Sequence, residues 1–135
     1  MIQIYPDQGL VFQLIRILND TPAWRLFQSD TTPTRDTVLA DLDECTFEGY
    51  HAITLEPDDF TIQGIAGHTG YAIAAPIAFE NTGTSPAHAY GYFVTNNDND
   101  KLLAVARFDD APIEKAPGEF FVIVPVWGDA SSLGG

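Results

Sequence analysis

From His51 onward the chain is cut into short apolar runs, HAITLEP, FTIQGIAG, YAIAAPIAF, AHAYGYFVTNN, KLLAVARFD and EFFVIVPVWG, separated by Gly, Pro, Asn and Asp. Six strands at this spacing predict a mainly β chain, a jelly-roll-like β-sandwich. TNNDNDK, between Val94 and Leu102, reads as a hairpin connection, because Asn and Asp accept left-handed backbone and bond to their own main chain. Upstream, AWRLFQSD alternates around Trp24 and Leu26, which predicts one more strand.

Two short helices are expected before the β-rich part. In DQGLVFQLIRILND the residues Leu10, Val11, Leu14, Ile15 and Leu18 recur at helical spacing, with Asp7 placed to cap the first turn, which predicts a helix over about 8–18. A strand is the alternative for this run. Phe12 and Ile17 lie off the stripe, so such a helix must bury itself in the core or against another chain. The five stripe residues are therefore the candidate protein-contact residues. In TRDTVLADL, Val38, Leu39 and Leu42 share one side behind Thr32 or Thr34 as a cap, which predicts a second helix over about 34–42.

No linker or internal repeat divides the 135 residues, so one domain is expected over 1–135, with a β core over about 23–127 and a loose tail over 128–135. Nineteen acidic residues against six Lys and Arg give a formal net charge of −13, which disfavours nucleic acid and anionic membrane surfaces as partners. No apolar run reaches the roughly 18 residues of a membrane span, and MIQIYPDQG lacks the basic start and cleavage site of a secretory signal, so use without Sec export is expected.

The chemical candidates are weak. Asp36, Asp41, Asp43, Glu44, Glu48, Glu56, Asp58 and Asp59 crowd one stretch with no Lys or Arg after Asp36, but their spacing fixes no acid–base pair facing one cavity, and a solvated acidic face is the expectation. Asn96 to Asp100 lack the Gly and Glu of a calcium loop, and His51, His68 and His88 are too scattered to suggest zinc. Cys45, the only cysteine, reads as a small core residue. There is no nucleophile elbow, phosphate loop or dinucleotide fingerprint, so no enzyme, cofactor or metal is expected. Tyr71, Tyr90, Tyr92, Phe93 and Trp127 offer faces on which a sugar would stack, which keeps a carbohydrate-binding or tail-associated adhesion module as the alternative function.

LFQSDTTPTRDTVLADLDECTFEGY, YGYFVTNNDNDKLLAVARFDDAPI and GEFFVIVPVW, in that order, resemble a family of small tailed-bacteriophage virion structural proteins. In those proteins an LF-N-TPT-DT-LADFTEATF-GY block precedes a YGY-VTD--G-LLWAERF--AP block and a final strand. The likeness covers about residues 6 to 127, with NDNDK here where a Gly turn is usual and no Trp in LLAVARF. It implies a capsid cement or decoration protein, made in the host cytoplasm and carried on the virion. Its implied partner is the major capsid protein, whose shell it would stabilise from outside as a homo-oligomer.

Overall fold

The computed structural model describes residues 19–63 and 71–128. The strands among them are β1 (Ala23–Phe27), β2 (Ile53–Thr54), β3 (Phe60–Gln63), β4 (Tyr71–Ala74), β5 (Ile77–Glu80), β6 (Ala87–Ala89), β7 (Gly91–Thr95), β8 (Leu102–Arg107), β9 (Ile113–Lys115), β10 (Phe120–Ile123) and β11 (Val126–Gly128). Their pairings are all antiparallel, in sheets ordered β2-β1-β7-β8, β11-β4-β3, β10-β5 and β6-β9. The chain is thus mainly β. The expected helix over 8–18, with Leu10, Val11, Leu14, Ile15 and Leu18, lies outside the described residues, as does the tail from 129.

The second expected helix is not formed. Within 34–42 the structure has a single 3-10 turn at Leu39–Asp41. The Val38 N–H, which a helix would send to the Thr34 carbonyl, goes to the Asp41 carboxylate instead (2.9 Å), while the Thr34 and Asp36 N–H groups close local turns on Thr37 Oγ1 (2.8 Å) and Thr34 Oγ1 (3.2 Å). Such bonds compete with helix, and Val38, on the supposed buried stripe, is 54% exposed.

The apolar runs yield more strands than there are runs. Pro76 divides YAIAAPIAF into β4 and β5, and Pro125 divides EFFVIVPVWG into β10 and β11, since proline brings no N–H to a ladder. The two bends lie opposite each other. Ile73 faces Val126 and Ile77 faces Ile123, so residues 74–76 oppose only 124–125, which is a bulge at the corner. Tyr90 makes a third break, between β6 and β7. β9, whose IEK carries one apolar residue, escapes the sequence pattern altogether.

Pairing along these pieces is nested. β7 pairs with β8, β6 with β9, β5 with β10 and β4 with β11, so two arms of the chain form one long, bent hairpin. Its turn is the expected TNNDNDK connection. There the Asn96 Oδ1 accepts from the N–H groups of Asp100 (3.0 Å) and Lys101 (2.9 Å), and Asn99 adopts φ +55°.

The main core gathers where the sheets meet. Trp24, Leu26, Phe79, Phe121 and Val94 are buried in it, with Tyr50 stacked on Phe79 (centroids 5.8 Å apart) and Phe47 against Phe121 (5.5 Å). By strand alternation Phe27 lies on the other face of β1, and Gly91 opposite it has no room for a side chain: a Cβ there would come within 2.1 Å of the Ala106 carbonyl.

Candidate functional site

Half of the acidic stretch is engaged in local hydrogen bonds. The Glu44 carboxylate accepts from Arg25 Nη1 (3.0 Å) and from the Tyr50 hydroxyl (2.5 Å), while that hydroxyl accepts the Leu26 N–H (3.1 Å). Asp41 and Asp59 accept N–H groups three residues back, from Val38 and Glu56, and Asp43 accepts from Gln28 Nε2 at 2.9 Å. Asp36, Glu48, Glu56 and Asp58 are exposed. The stretch therefore fastens the segment after β1 to that strand and pins two 3-10 turns, and its remaining charge faces solvent.

The titratable candidates behave as core or rim. Cys45 is 2% exposed, with its Sγ 3.6 Å from the His88 carbonyl. Burial first, then the charges of Glu44 and Asp43, push its thiol up to about 12, which leaves no nucleophilic thiolate near neutral pH. Burial and the hydrogen bond to Glu44 likewise raise the Tyr50 hydroxyl. His88 sits 3.3 Å from Glu114, the His51 Nδ1 lies 3.3 Å from the Gly49 carbonyl, and His68 is outside the described residues. Among the described residues no three His, Cys, Asp or Glu gather as a metal site.

The aromatic residues form no open platform among the described side chains. The Arg107 guanidinium covers the Tyr90 ring at 5.2 Å while pairing with Asp30 at 2.6 Å. Tyr92 packs toward the core beside Phe108 (6.4 Å), and Phe93 is buried. Tyr71 and Trp127 are described in backbone only.

What stands open is the outer face of the β5–β10 ribbon. Phe121 and Ile123 point inward, whereas Phe120, Val122 and Val124 point out, at 45%, 62% and 47% exposure. Across the ladder Ala78 faces Val122 and Glu80 faces Phe120, both exposed, so the apolar surface continues onto β5 at Ala78. Beside β10 lies a hollow of about 220 Å³ lined by Phe108, Ile113, Lys115, Phe120, Phe121 and Val122. Three large apolar side chains at alternate positions along β10 and the residue after it, open to water, are uncommon on a chain with no contact to make.

The sequence reading passes over this face, although a signal for it exists. From Phe120 to Trp127 there is no polar residue, whereas a strand with one wet face alternates. Such a run is either covered on both faces or leaves an apolar one bare, and the local pattern does not separate the two. Set against protein-family models, curated proteins and solved structures, the chain matches none.

Proposed function

We propose that this protein is a capsid cement or decoration protein of a tailed bacteriophage, a homo-oligomer that binds the outer surface of the major capsid protein shell and stabilises the head. The observation that carries the reading is the resemblance of the Leu26–Tyr50 and Tyr90–Ile113 blocks, in that order, to small tailed-phage virion proteins. Two physical features support it. A net charge of −13 keeps decorated particles apart and disfavours packaged DNA as the target, while the bare Phe120–Val124 face supplies an apolar surface for a protein contact.

The architecture we propose is a jelly roll. Four nested ladders along two arms of one hairpin are the pairing that an eight-stranded ribbon brings to such a roll, with β1 to β3 added at its sides. On this reading the protein has no catalytic role, and its acids serve solubility and local capping.

The test is made on purified virions and on capsids that lack the protein. We expect it at a fixed stoichiometric copy number on heads, and we expect its addition to bare capsids to raise the temperature at which they release DNA. Absence from purified heads, or binding with no gain in heat resistance, overturns the proposal. Specific glycan binding that is lost on Tyr90→Ala replaces it with the carbohydrate-binding module.

A further inference from the structure

The ladder between β5 and β10 settles which way the backbone of β10 points. The Asn81 N–H donates to the Glu119 carbonyl at 3.0 Å, and bonded rungs alternate along an antiparallel pair. The rungs Phe79–Phe121 and Ile77–Ile123 therefore carry the ladder bonds, while the N–H and C=O groups of Phe120 and Val122 point to the opposite edge. Among the described residues no strand pairs with that edge. The outer edge of β5 is blunted, starting beside Pro76 with its missing N–H and ending at Glu80, which is how sheet edges are kept from pairing. β10 carries no such guard.

Open backbone groups, three exposed apolar side chains and the neighbouring hollow call for one kind of occupant. The hollow, at about 220 Å³, is below the roughly 300 Å³ at which small-molecule pockets begin, and suits a single side chain. The surroundings are acidic: Glu80 faces Phe120 and Glu119 precedes it, against Lys115 alone. A second copy would bring another net −13 to the same place.

We propose that the outer edge of β10 is a strand-docking site for an extended segment of a different protein. The segment hydrogen-bonds to the main chain of Phe120 and Val122, lays alternate apolar side chains along Phe120–Val124 and carries basic residues at its flanks. The inference rests on reading this face as the contact surface, and not on the identity of the shell.

Amide hydrogen exchange on the full chain tests it, with a synthetic peptide of alternating Val and Thr flanked by paired Lys as the probe. The Phe120 and Val122 amides should exchange fast in the free protein and about tenfold more slowly with peptide, as an edge does when a strand covers it. Val122→Pro removes the N–H, and Val122→Lys sets a charge on the exposed face. Both should abolish the slowing while the circular dichroism stays that of the parent. If Val122→Pro fails to fold, Val122→Lys, at an exposed position, carries the comparison. Three results overturn the proposal: amides already protected without peptide, equal protection by the same peptide flanked with Glu, or protection that grows with protein concentration alone. No capsid is present in this measurement, so its failure leaves the capsid reading to the particle experiment.

Discussion

Tyr50 ties β1 to the acidic segment through one oxygen, which takes the Leu26 N–H and gives its proton to Glu44. Tyr50→Phe keeps the stack on Phe79 but strands a strand N–H and one lobe of Glu44. The expected loss is about 1–3 kcal/mol, read as a fall in Tm of roughly 4 °C per kcal/mol at this chain size. An unchanged Tm would mean that water replaces the hydroxyl. Cys45 and Tyr50 also set an alkaline limit. Both hold their protons more tightly in the fold than in the open chain, so their contribution to stability is complete below the unfolded thiol value of 9.0. It declines from there as pH climbs toward about 12, with Tyr50 joining above 10.0. Urea midpoints should fall from pH 8 to 10.5, with a shallower fall in Cys45→Ala, and a thiol reagent at pH 8 should label Cys45 only at the rate of opening. Rapid labelling of the native protein would contradict the burial.

At the scale of elements, Asn81 holds the joint between β5 and β6. It is 1% exposed; its Nδ2 donates to the carbonyls of Ser85 (2.9 Å) and Lys115 (3.1 Å), and its Oδ1 accepts the Gly83 N–H (3.1 Å). Asn81→Ala should lower stability by about 2–3 kcal/mol through unpaired buried groups. Asn81→Asp sets a buried carboxylate against two carbonyls, so its deficit should shrink at pH 4, where the side chain is neutral. Equal deficits at pH 7 and 4 in urea melts would refute this account. Joints of this kind mark where the sequence reading stops. The strand character of AWRLF and of the later runs is legible because alternation and turn residues act locally, and so is the Asn96–Lys101 turn. The opposed bends at Pro76 and Pro125 depend on which strands face each other, which no local pattern encodes. The helix over 34–42 misleads because its apolar spacing is helical while Thr34, Thr37 and Asp41 hold the backbone otherwise. The open face of β10 is half legible: the unbroken apolar run is plain, but whether a neighbour covers it is a tertiary fact.

For the molecule as a whole, thirteen excess negative charges sit on a chain whose described residues offer three ion pairs, one of them through His88. Taking sodium chloride from 0.01 M to 1 M shortens the screening length from about 30 Å to about 3 Å, so Tm should rise. A fall would show that Arg25–Glu44 and Arg107–Asp30 outweigh the general repulsion. The nested hairpin has a consequence in time. Its innermost rungs join Thr95 to Leu102 and Ala89 to Ile113, its outer ones Glu80 to Phe120 and Ile73 to Val126. Each inner ladder, once made, brings the next pair of partners close, so the loop entropy of the widest pair never has to be met in one step. Folding should therefore start at Asn96–Lys101 and zip outward. A circular permutant opened between Asn97 and Asp98 should reach the same final structure many times more slowly, because its arms must find each other without the turn that joins them.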